Sequence, residues 1–150
     1  MDSARALLLV VLANSAAWAS GCAVRGRWAA PLDFGCILWD GRRLFGSHKT
    51  WRGLIAAMLV CGLAAQVSGL TWILGAGFGA ASLLGDALSS GIKRRFALPP
   101  GTDVPGLDQI PESLLPAVIF APALGLGVIE VAAVVTGFLL LDLLAMRLRH

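Results

Sequence analysis

Charged and strongly polar residues are so sparse in this chain that it divides into five apolar segments. They run over Ala6–Val24, Leu54–Gly69, Leu70–Ser90, Ser113–Leu126 and Val128–Met146. Stretches near twenty apolar residues match the length of a helix across the hydrocarbon core of a bilayer. Lipid offers no partner to an open backbone, so each segment is expected to be helical. The second and third are almost continuous through Val67-Ser68-Gly69-Leu70, which requires a tight turn. The fourth is short and carries Pro116 and Pro122, so a kink or tilt is expected there. The pattern predicts one all-α integral membrane domain, residues 1–150, with about five transmembrane helices.

Composition supports that class. The 150 residues are 57% hydrophobic and 14% charged, against about 25% charged in soluble domains. The mean hydropathy is +0.80. A net charge of +3 is small, and the basic residues sit beside hydrophobic segments. Orientation in the membrane explains them better than a nucleic-acid partner, and none is expected. Arg25, Arg27, Arg42, Arg43, Lys49 and Arg52 lie between spans one and two, Lys93, Arg94 and Arg95 between spans three and four, and Arg147 and Arg149 after span five. With five spans these regions share one side and hold eleven of the twelve Lys and Arg; Arg5 is opposite. The positive-inside tendency then puts the N-terminus outside, the C-terminus and both long loops in the cytoplasm, and the protein in the cell membrane. A second reading of the first segment stands beside this one. Arg5, Leu7–Ala13 and Ala17-Trp18-Ala19-Ser20 also fit a cleavable secretory signal, which would put loop 25–52 outside. Cys22, Cys36 and Cys61 are too far apart for a metal knuckle and read as small apolar fillers.

The candidate chemistry lies in the two long loops. Asp86 ends an uncharged run, and a carboxylate at membrane depth is costly unless it pairs, binds a cation or lines a wet cavity. On a continuing helix Ser90 lies one turn on and Lys93 two turns on, near one face, with Arg94 and Arg95 following before Pro99 and Pro100 stop the helix. Asp108 returns after Gly101 and Gly106. Two carboxylates can ligate Mg2+ together with substrate phosphates; equally, Asp86 can pair with Lys93 or Arg94, and Asp108 can be a loop acid or helix cap. The first loop offers Arg42, Arg43 and Arg52 for bidentate phosphate contacts and Lys49 as a mobile charge; a basic loop drawn to anionic lipid reads the same way. Glu130 reads as interfacial, Asp142 as paired with Arg147 or a neighbouring helix, and His48 as a solvated loop histidine. Gly75-Ala-Gly-Phe-Gly79 lies mid-span without the Lys-Ser/Thr of a nucleotide loop and suits helix packing.

Pro31-Leu-Asp-Phe-Gly35, Asp40-Gly-Arg-Arg-Leu-Phe-Gly46 and Lys49-Thr-Trp-Arg-Gly53 resemble the first cytoplasmic loop of CDP-archaeol synthases. Gly85-Asp-Ala-Leu-Ser-Ser-Gly-Ile-Lys-Arg94 and Leu107-Asp-Gln109 resemble their second loop and, more distantly, the signature of phosphatidate cytidylyltransferases. Asn14 falls at the family's polar step in the first helix. The resemblance implies a Mg2+-dependent CTP:lipid-phosphate cytidylyltransferase of phospholipid biosynthesis, with five helices and a cytoplasmic polar cleft formed by the two loops. On that pattern Asp86 and Asp108 hold the metal, and Lys93 and Arg94 contact the nucleotide phosphates. Asp40, Arg42, Arg43, Lys49, Thr50, Arg52, Ser90 and Asn14 complete the pocket for CTP and the lipid head group. Pro111 stands where related signatures carry Asp, and Glu112 is the substitute metal ligand. The partners so implied are CTP, a lipid phosphate and membrane lipids, with the tails along the Gly-rich face of span three. Two rival classes are a non-catalytic membrane scaffold that binds anionic lipid and an enzyme using a CDP-lipid. The latter lacks its usual array of spaced Asp after Asp40-Gly41. Oligomeric state is not encoded in any of these features.

Overall fold

A computed structural model describes residues 2–23 and 29–148. Arg25, Arg27 and Arg149, used in the charge argument, and Val24, the expected end of span one, lie outside the described residues. Among the described residues six helices form: α1 Asp2–Ala23, α2 Trp51–Val67, α3 Trp72–Arg95, α4 Gln109–Ile119, α5 Ala121–Leu124 and α6 Val128–Leu148. No sheet forms among the described residues; two isolated β-bridges tie the first loop. Helices α1, α3 and α6 are long and apolar enough to cross a membrane, and α2 is a shorter apolar helix.

Local chemistry sets the boundaries. Thr50 caps α2, its hydroxyl oxygen accepting the Gly53 N–H at 3.2 Å, and Thr71 caps α3 by accepting from Leu74 N–H at 3.3 Å. The expected tight turn is a helix-ending motif built on Gly69 at φ 79°. Gly69 N–H donates to Gln66 O at 3.2 Å and Leu70 N–H to Ala65 O at 2.9 Å, satisfying carbonyls that the helix end leaves open. The fourth expected span is two helices, broken at Phe120. Pro122 lacks the N–H that would continue the ladder and its ring crowds the preceding turn. Helix α4 also starts four residues before the expected Ser113, because Pro111 falls in the first turn, where a missing N–H costs little. That shift brings Glu112 into the helix.

Helix α3 packs against α1, α2 and α4, and α6 against α1 and α4. Small residues permit the close approach. A Cβ on Gly79 would stand 2.7 Å from the Ala57 carbonyl oxygen, and one on Gly75 would overlap the Cys61 carbonyl. Gly75–Gly79 is therefore a helix-packing stripe filled by α2, with Gly77 against Phe120. The lipid tails expected along that face of span three have no room there. Buried Ala6, Leu9, Val10 and Ala13 make α1 part of the core, which a cleaved leader would remove. Outward-facing Ile73, Leu63, Ile129 and Leu140 are exposed, as lipid-facing helices require.

Candidate active site

The first loop is organised around one acid. Leu32 N–H donates to Lys49 O at 2.7 Å and Trp51 N–H to Ala30 O at 3.0 Å, closing the loop at its base. Inside it the buried Asp33 carboxylate accepts N–H bonds from Gly35 at 3.0 Å, Phe45 at 3.2 Å and Gly46 at 3.1 Å. Arg43 Nη2 adds a charged bond at 2.7 Å. Burial pushes this carboxyl up, but the bonds from Gly46, Gly35, Arg43 and Phe45 outweigh it and hold the pKa down at about 2.

The loop is then seated on the end of α3. Arg42 Nη1 donates to the carbonyls of Arg94 at 3.1 Å and Arg95 at 2.9 Å, placing a cation at the negative end of the helix dipole. Arg95 returns the contact, donating to Asp40 Oδ1 at 2.9 Å and to Arg43 O at 2.7 Å. Asp40, Arg42 and Arg43, expected in the nucleotide pocket, thus brace the loop against α3. They do not line the main polar cleft; Arg42 and Arg43 face a neighbouring groove that they share with Arg94 and Pro99.

The main cleft, of about 230 Å³, is bounded by α1, both loops, α3, α4 and α6. Helix α3 supplies Asp86, Ser90, Lys93 and Arg94, the first three on one face as their spacing predicts. Lys49 Nζ reaches Asp86 Oδ2 at 2.5 Å, so Asp86 pairs across to the first loop rather than with Lys93 or Arg94 of its own helix. Lys93 Nζ instead donates to Thr102 O at 2.8 Å and lies 2.6 Å from Asp108 Oδ1, an ion contact without hydrogen-bond alignment. Asp108 occupies the cap position of α4, yet its carboxylate accepts from Val104 N–H at 3.0 Å and not from the helix. Arg94 Nη2 donates to Pro99 O at 2.8 Å; its Nε and Nη1 are buried with no hydrogen-bond partner. Glu112, 5% exposed, has its buried Oε1 without a hydrogen bond and lies within Coulombic reach of Asp86, Lys49, Asp142 and Asp108. Gly85 makes this meeting possible, because any side chain there would strike the α4 backbone at Pro111 and Glu112.

Asn14 borders the main cleft from α1. Thr50 and Arg52 line an adjoining cleft that shares Asn14, His48, Lys49 and Asp86 with it. Exposed His48 sits on the rim, and exposed Glu130 lies in the first turn of α6. Gln109 and Asp142 join the wall although neither was expected in the site, and Asp142 meets a neighbouring helix rather than Arg147. Gln109 Nε2 donates to Asp142 Oδ2 at 2.6 Å, and both face the cleft; Asp142 therefore pairs with Gln109 of α4. A lone acid in an apolar helix was the available signal. Among the described residues no cluster of three or more His, Cys, Asp or Glu forms a ready-made metal cage.

Comparison with known proteins gives a consistent answer. A family model described as CarS-like, CDP-archaeol synthase, matches residues 5–76. The CDP-archaeol synthase of Pyrococcus furiosus is 38% identical over 93 residues, covering 53% of this chain and 53% of that protein, so the match spans about half the relative's length. The CDP-archaeol synthase of Saccharolobus islandicus is 36% identical over 116 residues, covering 73% and 70%. The solved structure of an intramembrane enzyme for archaeal membrane lipids biosynthesis superposes with a TM-score of 0.75 at 32% identity, covering 94% of this chain and 90% of that one. With the fold, the loop motifs and these matches in agreement, the chain belongs to the CDP-archaeol synthase family.

Proposed function

We propose that this protein is a Mg2+-dependent CTP:lipid-phosphate cytidylyltransferase, transferring CMP from CTP to a membrane lipid phosphate in phospholipid biosynthesis. The observation that carries this reading is the meeting of Lys49, Lys93 and Arg94 with Asp86, Asp108 and Glu112 in one cleft. A lipid-phosphate oxygen attacks the α-phosphorus of CTP in line. A new O–P bond forms, the bond from the α-phosphorus to its bridging oxygen breaks, and pyrophosphate leaves with the electron pair. Such a transfer asks for positioning and charge neutralisation more than for covalent chemistry. Lys49 and Lys93 are compact cations that can turn from carboxylate to phosphate. Arg94 keeps Nε and Nη1 free of other hydrogen bonds, leaving charged N–H donors for phosphate oxygens.

The carboxylates of Asp86, Asp108 and Glu112 would hold Mg2+, whose charge would offset that of the polyphosphate. The unpartnered Glu112 Oε1 fits such a donor set. Mg2+ commonly takes only one or two carboxylates and completes its shell with water and substrate phosphates, so a preformed cage is not required. The reading extends to five spans, counting α4 and α5 as one, with the N-terminus outside and the cleft on the cytoplasmic face. The support is charge: Arg42, Arg43 and Lys49 of the first loop, Arg52 in the first turn of α2 and Lys93, Arg94 and Arg95 at the end of α3 gather beside the cleft, and Arg5 lies in the first turn of α1.

The test is CTP-dependent pyrophosphate release by the purified protein with a lipid phosphate and Mg2+. Asp86→Asn and Asp108→Asn should each lower it by about 100-fold or more, the scale seen when one charge-stabilising group is lost. Full activity in both variants would remove the assignment. Binding of anionic lipid without any release of pyrophosphate would leave a scaffold.

A further inference from the structure

A second cleft, of about 430 Å³, runs between α1 and α6. Its walls include Val11 and Trp18 of α1 and Phe138 and Leu141 of α6, together with Asn14 and Asp142. Those last two residues also border the polar cleft, so the apolar and polar spaces meet through a shared wall. The outer edge is open, with Trp18 66% and Leu141 47% exposed, while Phe138 at 3% forms the floor. A rival apolar groove of about 330 Å³ between α3 and α4 is lined by Leu88, Leu114 and Val118, but it shares no wall residue with the polar cleft.

Resting on the cytidylyltransferase reading, we propose that the lipid phosphate enters sideways between α1 and α6, with one hydrocarbon chain held in this cleft. Electrostatics orient it. A phosphate dianion is drawn inward to Lys49, Lys93 and Arg94, which line the polar cleft beyond. The apolar chain trails behind, between side chains that already face lipid. Asn14, a neutral amide at the junction, is the group a passing phosphate can hydrogen-bond without a charge penalty.

Two variants fill the cleft without altering a polar residue of the site: Ser15→Trp and Ala145→Trp, both on its walls. Each should raise the KM for a long-chain dialkyl glycerol phosphate at least tenfold, while CTP affinity, read by ligand-induced thermal shift, changes less than twofold and shows that the fold is intact. Val118→Trp, in the α3–α4 groove, should leave that KM within twofold. Unchanged KM in both cleft variants, or a rise confined to Val118→Trp, overturns the proposal. A second measurement needs no turnover. A dialkyl glycerol phosphate with a diazirine at one chain end, photolysed in vesicles with the wild-type protein, should label α1 and α6 facing the cleft. The same probe lacking the phosphate should label them at least fivefold less. Labelling confined to α3 and α4, or equal labelling by the phosphate-free probe, overturns it. If wild-type protein labels as expected yet never releases pyrophosphate, the cytidylyltransferase reading fails while the lipid cleft stands.

Discussion

Asp33 collects three backbone N–H bonds and one guanidinium, and its carboxyl titrates near 2 instead of its ordinary 3.8. A carboxyl whose pKa is lower folded than unfolded stabilises the fold above the unfolded value. The contribution is lost as pH falls from about 3.8 through 2, and the displacement corresponds to about 2 kcal/mol. Asp33→Asn should therefore destabilise the protein by about that amount at neutral pH and flatten the pH dependence of unfolding in this window, measured by denaturant titration in detergent. An unchanged profile would assign the loop's stability elsewhere. This role was not legible in the Leu-Asp-Phe-Gly motif, because the donors Arg43, Phe45 and Gly46 come from ten or more residues away. Asp86, Ser90 and Lys93 were legible, since helical spacing alone puts them on one face. Which lysine answers which carboxylate was not: Lys49 and Asp86 are 37 residues apart.

At the scale of elements, two glycines should behave differently. Gly85 touches the α4 backbone at Pro111 and Glu112, so Gly85→Ala must push α4 away or distort it. The expected cost is about 1–3 kcal/mol, typical of overpacking. Because the same contact sets Asp86 beside Glu112, turnover should fall with stability. Gly69 has open space around its Cα but a φ of 79°, so Gly69→Ala should cost about 1 kcal/mol of backbone strain and spare activity per folded molecule. Thermal unfolding and pyrophosphate release, measured together on both variants, separate the two. The turn at Gly69 and the break near Pro122 follow from local rules and were readable. The early start of α4 was not, because Pro111 looks like a boundary until it is seen to occupy the first turn.

For the whole molecule, the proposed orientation is testable with native thiols. Cys22 and Cys36 are exposed and Cys61 is buried. With Cys22 replaced by alanine, a membrane-impermeant maleimide should label Cys36 in inside-out vesicles and not in right-side-out ones. The reverse result would place the cleft outside, away from cytoplasmic CTP. The wall that closes the cleft belongs to this scale too. Asp142 of α6 and Gln109 of α4 are 33 residues apart and meet at 2.6 Å only because the broken α4–α5 segment returns α6 to the bundle beside α1.

The order of polar and apolar residues was enough to determine the membrane class, the tight and broken turns, the motif-bearing loops and the face of α3 that carries the charged groups. These depend on composition and on contacts within a few residues. Tertiary structure decided the rest. It turned Asp40, Arg42 and Arg43 into braces, paired Lys49 with Asp86 and Lys93 with Asp108, filled the glycine stripe with α2, and left an open-edged cleft between α1 and α6. Each of those outcomes depends on which distant segments the packing brings within a few ångströms, and neither periodicity nor spacing carries that information.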